Sequence, residues 1–302
     1  MSRPEHIAPP EIFYGDAEAG KYTSNSRVQH IQRSMTERAL ELLALPPFFA
    51  DGGALLLDIG CGSGLSGAVL TDAGHEWVGA DISPAMLEVA LEEEAEGDML
   101  LADVGQGLGF RAGMFDGAVS ISVLQWLLNA ENPRTSPLSR LLAFFSTLHA
   151  TLRNGARAVL QFYPESDTQV HLCMQAATRA GFGGGLVVDY PNSKKAKKLF
   201  LVLWVGGAMV PPPGWQGELA SAKHEVPQGL VAEHEMGKAA ATQVKYEKKR
   251  DGAKGKKGKG KRKSGESTKE WIVRKKELYR TRGKEDVPLD SKFTGRKRKD
   301  RF

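Results

Sequence analysis

Three aspartates and a glycine-rich loop have the residue types and spacing to bind a ligand. Residues 55–64 read Leu-Leu-Leu-Asp-Ile-Gly-Cys-Gly-Ser-Gly, an apolar run followed by glycine at every second position. An apolar run flanked by glycine is typical of a buried parallel strand, and glycines let the backbone approach a ligand closely. Because residues 65–71 read as the start of a helix, whose first N–H groups lack intrahelical partners, the stretch predicts a strand–loop–helix ligand site.

The three acids, Asp58, Asp81 and Asp103, lie near the predicted ends of three strands. Ligands of open α/β sheets bind beyond the carboxyl ends of the strands. A dinucleotide loop has the pattern Gly-x-Gly-x-x-Gly, but here the third glycine comes one residue early and no basic residue lies in the loop. Because Asp58 would repel a phosphate, the loop predicts a ligand that carries an ammonium or sulfonium group instead.

The other two acids predict the remainder of that ligand. Asp81 is placed to accept hydrogen bonds from both hydroxyls of a ribose. Asp103 can accept from the exocyclic amine of an adenine flanked by Ile82 and Val104, although an acid there is also an ordinary cap or turn residue. An amino-acid end, a ribose and an adenine without phosphates describe S-adenosylmethionine. The predicted cofactor-binding residues are Tyr22, Asp58, Gly60, Cys61, Gly62, Gly64, Asp81, Ile82, Ser83, Asp103 and Val104.

Alternating strand and helix patterns must position these residues. Strands are predicted at residues 55–59, 77–80, 99–102, 117–122, 157–162, 186–188 and 199–205. This alternation predicts an α/β fold with a seven-stranded, mostly parallel sheet covered by helices on both faces. The last two strands have no long helix between them, which predicts one antiparallel strand. An Asn-Gly pair at 154–155 predicts a turn.

The regions on either side of the sheet differ in composition. Prolines and glycines within residues 1–21 predict no long element there, and Asn25 and its serine neighbours predict the start of a helix that ends before Pro46. We expect an N-terminal segment and helix at 1–50, the catalytic domain at 51–206, a linker at 207–244 and a basic tail at 245–302. Two cysteines are too few for a disulfide scaffold or a cysteine-based zinc site, and no metal site is predicted. The absence of an apolar N-terminal segment or membrane-length run predicts a soluble intracellular protein.

Charge is concentrated in the tail. Residues 245–302 hold 24 Lys/Arg and 9 Asp/Glu, a net charge of +15, against −10 for the rest and +5 overall. Such a tail is typical of nucleic-acid binding and nuclear import, and a merely solvating tail is the alternative. Its composition predicts a largely disordered chain, with a candidate helix from Trp271. Within the tail, the predicted nucleic-acid-binding residues are Lys256, Lys257, Lys261, Arg262, Lys263, Arg296, Lys297, Arg298 and Lys299. Lys194 and Lys195, which precede the last predicted strand at the rim of the sheet, are also predicted to contact RNA, and a solvated loop is the alternative.

Several motifs resemble those of a known family. Residues 58–64 resemble the first motif of the class I, Rossmann-like methyltransferases. Over nearly its whole length the chain is similar to the eukaryotic small-subunit (18S) ribosomal RNA guanine-N7 methyltransferases. The similarity rests on Pro-Pro-Glu-Ile-Phe-Tyr (9–14), Lys-Tyr-x-x-Asn-Ser-Arg (21–27), Gly-Leu-Ser-Gly (64–67), Asp-Ile-Ser-Pro-Ala-Met-Leu (81–87), Ser-Ile-Ser-x-x-Gln-Trp-Leu (120–127), Ala-Val-Leu-Gln (158–161), Val-Val-Asp-Tyr-Pro-Asn-Ser (187–193) and Thr-Gly-Arg-Lys-Arg-Lys (294–299).

The resemblance implies a fold, a reaction and partners. It implies a class I methyltransferase that uses S-adenosylmethionine to methylate a guanine N7 in 18S rRNA during ribosome biogenesis and pre-40S maturation. It further implies a nuclear and nucleolar enzyme, with the cytoplasm as an additional location. The implied partner is a small zinc-binding activator protein that forms a heterodimer with several methyltransferases. An exposed edge strand at residues 99–102 is a candidate interface.

The acceptor chemistry agrees with that resemblance. Guanine N7 carries no proton, so its methylation requires alignment and a desolvated pocket rather than a general base. Residues 120–123, Ser-Ile-Ser-Val, lack the Asn/Asp-Pro-Pro-aromatic motif that holds exocyclic amines. We therefore predict Ser120, Gln125 and Trp126 as substrate-positioning residues, with Trp126 stacking on a flipped base or, alternatively, packed in the core. Two other functions remain open: an RNA-binding assembly factor, and a methyltransferase acting on another RNA, a protein or a small molecule.

Overall fold

A seven-stranded sheet organises the first of the two units into which the chain divides, residues 1–242 and residues 243–302. The computed structural model describes residues 3–50, 53–129, 136–193, 196–207, 209–211, 225–230 and 268–281. In the second unit, the described residues form one helix, α8 (Thr268–Thr281), where the sequence offered a candidate helix.

The strands follow the predicted positions closely. Their bounds are β1 (Leu55–Ile59), β2 (Glu76–Asp81), β3 (Asp98–Leu101), β4 (Phe115–Ile121), β5 (Leu152–Phe162), β6 (Gly183–Asp189) and β7 (Lys198–Trp204). Their order in the sheet is β3-β2-β1-β4-β5-β7-β6. β7 runs antiparallel to both of its neighbours, and the other pairs are parallel. The prediction of a mostly parallel sheet with one antiparallel strand is confirmed.

Helices surround this sheet, and most begin at a side-chain cap. Their bounds are α1 (Pro10–Phe13), α2 (Asp16–Ser24), α3 (Ser26–Leu43), α4 (Leu65–Asp72), α5 (Pro84–Glu92), α6 (Pro137–Thr151) and α7 (Asp167–Arg179). The side chains of Asn25, Ser83, Ser136 and Ser166 accept hydrogen bonds from N–H groups of the first turns of α3, α5, α6 and α7. Each cap satisfies donors that the helix itself leaves without partners.

The core lies between the sheet and its helices. β4 is buried along its whole length, as expected for a central strand covered on both faces. Large side chains that are almost fully enclosed include Phe115, Phe144, Phe145, Phe162 and Phe200. α3 packs against α4, β4 and β5, while α6 packs against α7 and β5. This packing fixes the carboxyl ends of the central strands, where the predicted site residues lie.

Two local expectations were wrong. The N-terminal segment contains the nine-residue helix α2 despite Gly20 in its interior, because the buried Ala19 packs against Ala85 and Met86. Burial against α5 thus overrides the low helix propensity of glycine. The Asn-Gly pair at 154–155 is not a turn between elements but lies within β5. Gly155 there has φ +86°.

Two searches were negative within the described residues. No helix among them is both long enough and apolar enough to cross a membrane. Over the same part of the chain, no group of three or more His, Cys, Asp or Glu side chains is placed to hold a metal ion.

Candidate functional site

A pocket opens at the carboxyl edge of the sheet, beyond β1, β2, β3 and β4. The empty space within it is about 860 Å³ and includes space open to solvent. The predicted site residues that line it are Tyr22, Gly60, Cys61, Gly62, Asp81, Ile82, Asp103, Val104 and Trp126. The topology therefore brings together residues that are more than 100 positions apart in the sequence.

The glycine loop forms one wall of this pocket in a conformation that requires glycine. Gly60 has φ +72°, and a Cβ there would lie 2.1 Å from the side chain of Val123. Gly62 has φ +53°, and its N–H donates to Asp81 Oδ2 at 2.9 Å. The backbone of the loop is thus tied to the end of β2, and no larger residue fits at Gly60 without displacement of Val123.

Asp81 joins the glycine loop to the start of α5. Its Oδ1 accepts from the N–H of Ser83 at 2.8 Å, and its Oδ2 accepts from Gly62. Burial raises the pKa of Asp81, while these backbone hydrogen bonds oppose the rise. The carboxylate is therefore held in one orientation at the pocket wall and keeps acceptor capacity for a ligand hydroxyl.

Asp58 lies beneath the glycine loop rather than on the pocket surface. It is fully buried, and its Oδ2 accepts from the hydroxyl of Ser66 at 2.6 Å. Burial raises the pKa of Asp58 to about 7, a shift that the Ser66 hydrogen bond opposes and the charge of Asp81 reinforces. Its Oδ1 has no hydrogen-bond partner within the described residues.

Asp103 is already paired, which the sequence did not indicate. Arg140, on α6, donates to its Oδ1 at 3.0 Å, and Gly105 and Gln106 donate to its two oxygens. A carboxylate has about four acceptor positions, so Asp103 can still accept from one further amine. Arg140 is the only charged residue within Pro137–Thr151. A single arginine in an apolar helix is a signal of a buried pair, although it does not identify the partner.

Aromatic side chains from the N-terminal segment cover the pocket. Tyr14 contacts both Tyr22 and Trp126, with ring centroids 5.7 and 5.8 Å apart, and Phe13 lies 6.0 Å from Trp126. Burial, with a contribution from Asp81, raises the pKa of Tyr14 to about 12. Burial also raises the pKa of Tyr22, whose hydroxyl accepts from Gln32 at 2.7 Å. Both hydroxyls therefore stay protonated at neutral pH.

Four other predicted residues support the pocket without lining it. Ser120 is buried and donates to the carbonyl of Ile59 at 2.9 Å, which joins β4 to β1. Ser83 caps α5 and also donates to the carbonyl of Tyr14. Gly64, with φ +82°, is the residue from which α4 begins.

Gln125, the fourth of these residues, forms a hydrogen bond with the backbone of Ser122. Its Nε2 donates to the carbonyl of Ser122 at 2.8 Å. Ser122 lines the pocket and has φ +63°, which is uncommon for a residue other than glycine. Its hydroxyl donates to the buried Gln161 at 3.0 Å. Ser122 is not among the predicted site residues, because a left-handed backbone conformation at a serine has no sequence signal.

The predicted nucleic-acid-binding residues lie outside the described part of the chain. These are Lys194, Lys195, Lys256, Lys257, Lys261, Arg262, Lys263, Arg296, Lys297, Arg298 and Lys299. Their roles therefore stay predictions.

Comparisons with known proteins identify relatives for both parts of the chain. Residues 57–159 match a family model described as a methyltransferase domain. Residues 204–300 match one described as a methyltransferase involved in Williams-Beuren syndrome. A probable 18S rRNA (guanine-N(7))-methyltransferase of Dictyostelium discoideum is 50% identical, with 100% of each chain covered.

Two further comparisons concern a second relative and a solved structure. The 18S rRNA (guanine(1575)-N(7))-methyltransferase of Saccharomyces cerevisiae is 52% identical, again with 100% of each chain covered. Among solved structures, a candidate S-adenosyl-L-methionine-dependent methyltransferase of Methanococcus maripaludis has a TM-score of 0.50 at 13% identity, covering 65% of this chain and 96% of that one. That structure supports the fold, and the two relatives match the chain from end to end.

Proposed function

Since this chain belongs to the family of 18S rRNA (guanine-N7)-methyltransferases, we propose how its pocket carries out their reaction. The chain is an S-adenosylmethionine-dependent enzyme that methylates a guanine N7 of small-subunit ribosomal RNA in ribosome biogenesis.

The pocket has the donors and acceptors that S-adenosylmethionine requires. Asp81 offers a fixed carboxylate for the ribose hydroxyls, and Ile82 and Val104 offer apolar surfaces for the adenine. Ser63 lines the pocket, and its buried Oγ has no hydrogen-bond partner within the described residues, as expected if the amino-acid end of the cofactor supplies that partner. The predicted roles of these residues fit the cofactor, which supplies an electrophilic methyl group when bound.

The hydrogen bond that the Ser122 carbonyl accepts from Gln125 is the observation that favours a ring nitrogen as the methyl acceptor. Enzymes that methylate amines need acceptors that hold the amine hydrogens. Here the carbonyl of Ser122, a residue that lines the pocket, already accepts from Gln125, so only one of its two lone pairs remains for an amine. Guanine N7 has no hydrogen to be held and needs only alignment. We propose that Gln125 sets the shape of the wall and that Trp126 and Tyr14 contact the base and exclude water.

The partner is proposed to bind the β3 edge of the sheet. β3 pairs only with β2 among the described strands, so its outer edge can accept another strand. Leu101, in β3, is 59% exposed, and Leu91, in the adjacent α5, is 67% exposed. Exposed leucines beside a free edge are a liability in an isolated protein. They are consistent with the small zinc-binding activator that the family resemblance implies.

The basic tail is proposed to bind RNA and to direct the protein to the nucleus and nucleolus. Its net charge of +15 supports sequence-independent phosphate binding, whose strength falls with salt. Because the body of the chain is acidic, with a net charge of −10, the tail is the stronger electrostatic attractor for RNA.

A methylation assay on purified components tests the proposed mechanism. The chain, co-purified with its activator, is incubated with unmodified small-subunit rRNA and methyl-labelled cofactor. Labelled N7-methylguanosine should form, and Gln125→Ala should lower kcat by about tenfold or more, as for loss of one aligned hydrogen bond. Label appearing on an exocyclic amine or on protein instead would contradict the proposed acceptor.

A further inference from the structure

A short segment far along the chain returns to the sheet and lies along β6, which among the described strands pairs only with β7. This segment, residues 225–230, is called the strap below. Tyr190 donates through its N–H to the carbonyl of Leu230 at 2.6 Å, and the N–H of Leu230 donates to Asp189 Oδ1 at 2.7 Å. Both partners lie at the carboxyl end of β6. The strap is therefore held by one backbone–backbone hydrogen bond and by one hydrogen bond from its backbone to a side-chain carboxylate.

An ion pair beneath the strap holds its anchor in place. Arg38, on α3, donates to both oxygens of Asp189 at 3.0 and 3.3 Å and to the carbonyl of Gln228 at 3.2 Å. The Asp189 side chain is only 3% exposed. A bidentate pair with one buried partner has a well-defined geometry. Arg38 thus connects α3, β6 and the strap at one point.

The strap runs in the direction of β6. Val226 lies against Gly185, because a Cβ at Gly185 would be 2.8 Å from the Val226 side chain, whereas Leu230 is bonded to Asp189. β7 ends at Trp204, which pairs with Gly183 at the beginning of β6. The chain therefore leaves β7 at the amino edge, and the strap brings it back to the carboxyl edge, where the pocket opens. Three strand spacings separate β6 from β4, about 15 Å.

We infer that the strap is a positioning device. It places the start of the chain segment that leads to the basic tail at the carboxyl edge of the sheet, where the pocket opens. RNA bound by the tail is thereby presented for methyl transfer. The inference rests on the proposed RNA-binding role of the tail. Lys245, the first basic residue of the tail, follows Leu230 by 15 residues, whereas it follows Met209, the last buried residue described before the strap, by 36. Since effective concentration falls as about the −3/2 power of tether length, release of the strap should lower it about fourfold.

Gly229 offers a way to release the strap without altering the core. A Cβ at Gly229 would lie 2.0 Å from the carbonyl oxygen of Val188, so Gly229→Ala forces the strap away from β6. Gly207→Ala is the matched control, because a Cβ there has no neighbour within 4 Å. Leu230→Pro is a second variant, which removes the N–H that donates to Asp189. Loss of hydrogen-exchange protection at the amide of Tyr190, which donates to the Leu230 carbonyl, reports in both variants whether the strap is released.

The kinetic test uses the full chain with its activator and small-subunit rRNA. In Gly229→Ala and Leu230→Pro, the KM for RNA should rise about fourfold, while kcat and the KM for S-adenosylmethionine stay at the values of Gly207→Ala. A released strap with an unchanged KM for RNA would overturn the inference and leave the methyltransferase function intact. Protection that persists in both variants would also overturn it, because the strap would then not depend on these contacts. An inactive unmodified chain would instead count against the proposed function.

Discussion

At the scale of single residues, the pocket uses one residue type in three different environments. Asp58 is buried with one hydroxyl partner, Asp81 accepts from two backbone N–H groups, and Asp103 is paired with Arg140. Burial without a compensating cation raises the pKa of Asp58 to about 7. The environment, and not the residue type, therefore determines what each carboxyl group offers to a ligand.

Replacement of Asp81 should abolish cofactor binding selectively. Asp81→Ala removes the acceptor for the N–H groups of Gly62 and Ser83, and each charge-assisted hydrogen bond is worth about 1.5–3 kcal/mol. We expect the Kd for S-adenosylmethionine to rise by about 100-fold or more, with RNA affinity nearly unchanged. Calorimetric titration measures both. Asp98→Ala, at an exposed aspartate of the neighbouring β3, is the control, and a Kd for Asp81→Ala within threefold of that control would contradict the assignment.

Asp58 should make the stability of the ligand-free protein depend on pH. Its pKa is about 7 in the folded state, against 3.8 for an ordinary aspartate. Between about pH 4 and pH 7 the folded state therefore holds a proton that the unfolded state has released, so the free energy of unfolding falls as pH rises.

In Asp58→Asn this proton uptake is absent. The free energy of unfolding of the variant should therefore fall less between about pH 4 and pH 7 than that of the unmodified chain. We expect the free energy of unfolding of the variant, relative to the unmodified chain, to increase between pH 5 and pH 7 by on the order of 1 kcal/mol per pH unit. Urea denaturation at several pH values measures the difference. Parallel curves for the two proteins would show that Asp58 is ionised throughout.

At the scale of elements, the sequence predicts the strands and the capped helices, because these depend on local signals. The apolar run of β1 and the Ser-Pro start of α5 are visible without a structure. Helix α2 was missed because its stability comes from packing against α5. The contact of Arg140 with Asp103 and that of Arg38 with Asp189 join residues distant in sequence, and a single sequence carries no information on such pairing.

The candidate site could be predicted to a similar extent. The glycine loop and the acids at the strand ends have residue types and spacings that indicate a ligand site from the sequence alone. The positive φ of Ser122 and the buried positions of Asp58 and Ser120 depend on the assembled sheet. For this reason the sequence identified the cofactor pocket but did not separate the residues that line it from those that support it.

The β3 edge makes a testable prediction about the partner. Leu101→Glu places a charge on an edge whose leucine is 59% exposed, so it should weaken association with the activator by about tenfold or more. Size-exclusion chromatography with light scattering of the co-expressed proteins measures the complex. Val210→Glu is the control, since Val210 is 76% exposed and lies outside β3. Equal effects of the two changes would argue against an interface at β3.

Trp126, which contacts Phe13 and Tyr14 of the N-terminal segment, is the subject of a second prediction. If Trp126 stacks on the target guanine, Trp126→Ala should lower kcat/KM for RNA by about 10- to 100-fold, the range expected for one base-stacking contact. Trp126→Phe keeps a stacking surface and should retain most of the activity. A loss of thermal stability that accounts for the whole loss of activity in both variants would identify Trp126 as a core residue only.

At the scale of the whole molecule, charge separates the cofactor site from the proposed RNA-binding tail. Residues 1–244 carry a net charge of −10 and residues 245–302 one of +15. Deletion of residues 245–302 should therefore weaken RNA binding and reduce its salt dependence, while S-adenosylmethionine binding stays unchanged. Filter binding at several salt concentrations measures the effect. Unchanged RNA affinity after the deletion would place the RNA-binding surface on the acidic body instead.

The central claim is that this chain methylates guanine N7 in small-subunit rRNA through the pocket at the carboxyl edge of its sheet. Mapping N7-methylguanosine in the 18S rRNA of cells that lack this chain tests it most directly. One N7-methylguanosine should disappear in these cells, and the unmodified chain should restore it whereas Asp81→Ala should not. Persistence of every N7-methylguanosine in the cells without this chain, or restoration by Asp81→Ala, would contradict it.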